Sequence, residues 1–213
     1  MQGSFPFDLI LFGMVAAFLV LRLRSVLGKR QGYERPPADA RSPAPVPMGR
    51  DAPRAAPTAG PPMSTAAAQA VSRIGAVDPS FDPAAFLHGA EGAFRMIVGA
   101  FAGGDRQTLR GLLSDDTYAG FEQAITAREN NGESQRTEIR AVNAVSIDAA
   151  DLRGTLADVT VRFVTDQVNM TTGKNGEVVT GSDAITELTD LWTFQRELSD
   201  KDPTWRLVAT RSL

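Results

Sequence analysis

No cysteine occurs in this sequence of 213 residues. That excludes a disulfide framework, a thiolate nucleophile and any cysteine-ligated zinc or iron–sulfur centre. Histidine occurs once, at His88. A site that needs two imidazoles cannot be built, and most metalloenzyme and triad chemistries fall with it. His88 itself falls at the polar border of a predicted helix, where a surface or capping role is expected. Aromatic residues are missing from positions 34–77, which hold nine of the thirteen prolines. Such a stretch cannot bury enough apolar surface to offset its ordering entropy. It reads as a disordered spacer with local polyproline character, in which only Ala66–Ile74 has the composition of a short helix. A full phosphate-loop spacing is also absent. Gly173-Lys174-Asn175-Gly176 lies between predicted strands rather than ahead of a helix, so it reads as a turn. No cofactor and no metal are expected.

Charge is divided unevenly. Residues 1–77 carry nine Lys/Arg against four Asp/Glu, a net of +5, and residues 78–213 carry thirteen against twenty-one, a net of −8. The acidic half would repel phosphates, so no nucleic-acid partner is expected, while the basic half suits an anionic membrane surface. The basic half also contains the longest apolar run. From Phe5 to Leu21 the sole charge is Asp8, and Leu9, Ile10, Leu11, Phe12, Val15, Phe18, Leu19, Val20 and Leu21 make up most of the core. Seventeen helical residues cover about 25 Å against a hydrocarbon core of roughly 30 Å, and extension to about residue 27 completes a span. Positive charge is absent before the run and follows it at Arg22, Arg24, Lys29 and Arg30. A cleaved signal peptide carries its charge on the other side. The positive-inside rule then predicts an uncleaved single-pass anchor in the inner membrane, N-terminus out, with the rest of the chain cytoplasmic. The expected organisation is an anchor over 1–30 (helix about 5–27), a Pro/Ala-rich spacer over 31–77 and a folded domain over 78–213.

Within that domain Asp82-Pro83 is a helix start, a capping side chain followed by proline at the first helical position. Phe86, Ala90, Phe94, Ile97 and Phe101 recur at helical spacing, joined by Leu87 and Val98, and Gly103-Gly104 ends the helix. Asp105–Leu113 and Asp115–Asn131 read as two further helices, the second with Asp115 and Asp116 favourably placed at its positive end. After Gly132 the period changes from 3.6 to 2. Four runs alternate around Ile139–Ile147, Ala157–Phe163, Leu188–Phe194 and Trp205–Ala209, separated by turn chemistry at Asp151–Gly154, Gly173–Gly176 and Ser199–Pro203. Helices followed by one-faced strands predict an α+β domain, with a curved four-stranded antiparallel sheet cupping the helices.

Asp190-Leu-Trp-Thr-Phe-Gln-Arg196 followed by Asp202-Pro-Thr-Trp-Arg-Leu-Val208 resembles the closing signature of Tim44-like domains, as do the Phe86–Phe101 helix and the helix-then-sheet order. The resemblance covers about residues 80–213. The anchor and spacer are similar to those of the TimA-type, membrane-anchored alphaproteobacterial members. The resemblance implies a fold related to NTF2-like domains, with a deep apolar pocket between sheet and helices, and adaptor work at the inner-membrane face of a protein translocase. A long basic, chaperone-recruiting N-terminal region of the mitochondrial kind is lacking here.

The residues named for that pocket are Phe94, Val98, Phe101, Leu109, Phe121, Phe163, Trp192, Phe194 and Trp205, which also read as the core of a small domain. The expected function is a non-enzymatic, membrane-tethered adaptor in protein translocation, membrane-protein insertion or complex assembly. Its partners would be proteins or apolar peptide segments; phospholipid is the alternative ligand. Asp190 is the residue that leaves an enzyme open. It shares strand parity with Trp192 and Phe194, and a carboxylate in an apolar cup can serve as a general base. The competing reading pairs it with an arginine, Arg162 or Arg196, or turns it outward at a bulge.

Overall fold

The structure, a computed structural model, describes residues 63–213. The anchor residues Leu9–Leu21, the basic flank at Arg22, Arg24, Lys29 and Arg30, and the spacer up to residue 62 lie outside the described residues. Among those described, no helix is long and apolar enough to cross a membrane.

Each helix among the described residues starts on a side-chain cap. Ser64, Asp82, Asp105 and Ser114 each accept from a backbone N–H of the first turn, which satisfies donors that the helix itself cannot. The helices they open are α1 (Thr65–Val77), α2 (Pro83–Gly103), α3 (Arg106–Leu112) and α4 (Asp115–Asn131). α2 and α4 end on glycines in the left-handed region, Gly104 at φ 72° and Gly132 at φ 68°, a conformation that other residues adopt at a cost. Arg128 on α4 donates to the carbonyls of Phe101 and Ala102 at 2.8 and 3.1 Å. A guanidinium thus sits on the negative end of α2, where the helix dipole favours it.

α1 corrects the sequence reading, which carried the spacer to residue 77. Ala67, Ala70 and Ile74 recur on one face of this helix and are buried, and Ile74 belongs to the main core. The folded unit therefore includes α1.

The sheet is an antiparallel meander in the order β1-β2-β3-β4, built from β1 (Ser134–Arg153), β2 (Leu156–Thr172), β3 (Val178–Glu197) and β4 (Arg206–Ser212). Four helices packed against a four-stranded antiparallel sheet make the α+β domain expected from the change of period. β1–β3 are much longer than the alternating runs that announced them. Bulges break the β1–β2 register between Ile139/Ala141, Val142/Ala144 and Ile147/Ala149, and such insertions bend a strand and increase its twist. On the inner face Ala157, Val159, Val161 and Phe163 of β2 are completely buried. The outer face is polar, with the Thr160 and Thr193 hydroxyls 2.9 Å apart across β2 and β3 and Arg162 paired with Asp148. The α3–α4 junction covers the edge of β4, because Ser114 N–H donates to the Leu207 carbonyl at 2.9 Å. That contact removes unpaired groups from an otherwise exposed edge.

Candidate functional site

The nine residues named for an apolar pocket divide into two groups. Phe94, Leu109, Phe163 and Phe194 are fully or almost fully buried, and Trp192 is close to it. Phe94 stacks on Phe163 with ring centroids 4.5 Å apart and leans on Trp192 at 4.6 Å. Around Phe94 the space between α2 and the sheet is taken up by these side chains, as ordinary core packing requires. Val98, Phe101, Phe121 and Trp205 are partly buried against that core, and Phe101 and Phe121 meet edge to face at 5.0 Å.

Open space is found toward the other end of α2. A cleft of about 310 Å³ is bounded by the first half of α2, by the turn that precedes it, by the end of β3 and by Trp205 just ahead of β4. Phe81, Phe86 and Trp205 form its aromatic wall, with centroid distances of 5.7 Å for Phe81–Phe86, 5.7 Å for Phe81–Trp205 and 4.9 Å for Phe86–Trp205. Ala85, Gly89 and Ala93 recur along α2 as its floor, and a Cβ added at Gly89 would meet nothing within 4 Å. Of the nine residues named from sequence, Phe194 and Trp205 line this cleft and the others do not. Phe86 belongs to the apolar stripe that spacing predicts for the helix, whereas Phe81 lies ahead of it, where periodicity gives no signal for a pocket residue.

One polar group faces the cleft from the sheet. Arg196 shares parity with Trp192 and Phe194, so its side chain leaves β3 on the inner face. Its Nη1 donates to Asp78 at 3.0 Å, tying the segment after α1 to β3 across 118 residues of sequence. The Asp78 carboxyl is held below the usual carboxylate range, chiefly by the Ser80 hydroxyl and also by Arg196. Arg196 Nε is buried and has no hydrogen-bond partner among the described residues.

Asp190 differs from both of its expected arrangements. Arg162 is taken by Asp148 and Arg196 by Asp78, while Asp190 accepts from the Ser212 hydroxyl of β4. It lies directly opposite Phe163 on β2 and Ser212 on β4, buried as parity required and away from the cleft. Burial pushes its carboxyl up, against the lowering effect of the Ser212 hydrogen bond. A raised folded pKa means that the folded state holds the proton more tightly than the unfolded state. Stability therefore falls as pH rises from the ordinary carboxylate value through the folded one. Asp190→Asn keeps an acceptor for Ser212 and removes the charge. We expect it to melt at or above the parent temperature at pH 7, with the difference shrinking toward pH 4, as thermal melts by circular dichroism at the two pH values will show. A variant that is less stable at pH 7 would refute the burial argument.

The described residues thus form a four-helix, four-strand α+β domain with an aromatic cleft and a carboxylate closed off from it. The chain belongs to the Tim44-like domain family, whose profile matches residues 67–212. Among curated proteins it is similar to the mitochondrial import inner membrane translocase subunit TIM44-1 of Arabidopsis thaliana, with 25% identity over 150 residues, covering 67% of this chain and 32% of that protein. The chain therefore spans about a third of that relative. Among solved structures, the intermembrane space region of the chloroplast protein ARC6 aligns with 11% identity and a TM-score of 0.45, covering 63% of this chain and 98% of that one.

Proposed function

We propose that this chain is a membrane-tethered adaptor, without catalytic activity of its own, that captures partner proteins or apolar peptide segments at the cytoplasmic face of the inner membrane. The processes it would serve are protein translocation, membrane-protein insertion or complex assembly. The aromatic cleft carries the reading, because an apolar recess with few polar groups is a recognition surface. Membership of the Tim44-like family supports it, since one relative is a subunit of a mitochondrial import translocase. The apolar run ending at Leu21 and the arginines after it support the tether, with a helix at about 5–27 and a proline-rich spacer before α1. Asp190 supports the non-catalytic reading, because it faces Phe163 and Ser212 rather than the cleft.

A photo-crosslinking residue at His88, exposed on α2 beside the cleft floor, tests this in cells on the full chain. Adducts with inner-membrane or translocase proteins, identified by mass spectrometry, are the expected result. Adducts with phospholipid alone would favour the lipid-binding alternative, against which the −8 charge of residues 78–213 argues for anionic lipids. A blank result would sink the adaptor reading.

A further inference from the structure

The helices pack on the inner face of the sheet and leave the outer face without apolar partners. Val164 and Leu191 point to that side, and neither joins the core or the side chains packed against it. Val164 on β2 lies opposite Thr189 on β3, and charge is laid out along the strands on either side of this row. Two residues one way, Arg162, Leu191 and Arg211 lie side by side across β2, β3 and β4. Two residues the other way, Asp166 lies directly opposite Glu187. Like charges in that position destabilise a sheet. The Asn143 amide eases the conflict by donating to Asp166 at 3.1 Å and to Glu187 at 3.3 Å. Arg211, Asp166 and Glu187 have no ion-pair partner among the described residues. One face therefore carries cations at one end and uncompensated carboxylates at the other.

We propose that the outer face of the sheet binds the outer face of a second copy of this chain, about a two-fold axis that crosses the strands along the Val164–Thr189 row. Such an axis reverses the strand direction, so residues equally far from the row on opposite sides meet. Arg162 then lies over Asp166 of the second copy, and Arg211 reaches Glu187 of the second copy from the adjoining strand. Each contact occurs twice, as a closed two-fold interface requires. Sheets packed face to face lie about 10 Å apart, a gap that an arginine and a carboxylate side chain bridge together. A two-fold axis along the strands would instead set Asp166 and Glu187 over Glu187 and Asp166 of the second copy, four negative charges together. Ten residues of three strands cover roughly 33 Å by 14 Å of sheet in each copy, about 900 Å² over both, near the lower limit for a specific interface. The dimer is therefore a weak one, directed by charge more than by area. The aromatic cleft lies on the inner side, lined from β3 by Phe194 and Arg196, so the pair keeps two clefts open.

The chain has no cysteine, so Thr189→Cys introduces a single thiol beside the axis. A short bis-maleimide should then link two copies of the full chain in detergent micelles. His88→Cys, on α2 and on the other side of the sheet, should give little product. On the Thr189→Cys background, Glu187→Arg and Arg211→Glu each set like charges across the interface and should lower the yield by roughly fivefold or more. Both positions are exposed, and circular dichroism should show an unchanged fold. Mixed in equal amounts, the two variants should recover the parent yield to within about twofold. Arg211 of one copy then meets Glu187 of the other, and the two introduced charges pair as well. Sedimentation velocity of the unsubstituted chain should show a dimer that dissociates at about 0.5 M salt, where exposed charges are screened. A parent that sediments as a monomer throughout overturns the dimer, as does equal linking through His88→Cys. Charge variants that link as well as the parent, or a mixture that links no better than its components, overturn the charge pairing and with it the proposed axis.

Discussion

Phe94→Ala should be among the most damaging single substitutions in the domain, lowering stability by about 3–5 kcal/mol. Phe94 is completely buried in the middle of α2 and stacks on Phe163 at 4.5 Å with Trp192 at 4.6 Å. Truncation removes both the transfer energy of the ring and the aromatic contacts on its two sides. The void cannot close easily, because Phe163 and Trp192 project from neighbouring strands whose register is fixed by backbone pairing, Val161 against Trp192 and Phe163 against Asp190. The melting temperature should fall by roughly 6–20 °C, given about 2–4 °C per kcal/mol for a unit of this size. Val98→Ala on the same helix, partly buried, should fall by much less. Differential scanning calorimetry of the two variants checks both values. A drop below about 3 °C for Phe94→Ala would mean that the ring faces a cavity after all, and would restore a deep pocket between α2 and the sheet.

Helix starts were legible in the sequence because a side chain and a backbone position combine there. Asp82 with Pro83, Asp105 and Ser114 open α2, α3 and α4 within a residue of the expected places. The inner face of the sheet was legible for the same kind of reason, since period-2 alternation survives wherever one face is covered. It fails where neither face is, and residues 178–187 of β3 are exposed almost throughout, so that strand was read as beginning ten residues late. Parity sent Asp190 inward correctly. Its partner depended on which β4 residue falls opposite, and a strand of seven residues carries little signal for that register. The arginines went elsewhere through contacts between distant segments, as with Asp78 and Arg196. The aromatic residues show the same limit in another form. Spacing tells that Phe94 and Phe86 share the apolar face of α2, but not that a ring from β2 fills the space beside the first while the second borders open space.

α1 is the element that composition concealed, and it carries the second large effect. Two of its three buried residues are alanines, so Ile74 is the one large side chain that the helix buries completely, with Val71 partly buried against the same core. Ile74→Ala should cost about 2–4 kcal/mol of the interactions that dock the helix. Because α1 lies at the start of the folded unit, the loss should appear first as local opening. Amides of Val71–Val77 should exchange faster by hydrogen–deuterium exchange, while those in the middle of α2 change little. Removing residues 63–78 should do more. It takes away Ile74 together with Asp78, leaving the mostly buried Arg196 guanidinium without a carboxylate, and an uncompensated buried charge is among the costlier defects in a fold. The deletion should therefore lower the melting temperature further than Ile74→Ala and expose Trp205 to quencher, since the turn that brings Phe81 against its ring begins at Asp78. An Ile74→Ala protein with unchanged exchange and melting would return residues 65–77 to the spacer. If the effect is as large as expected, the folded unit includes a helix that leads straight into Asp78, whose ion pair with Arg196 reaches the lining of the cleft.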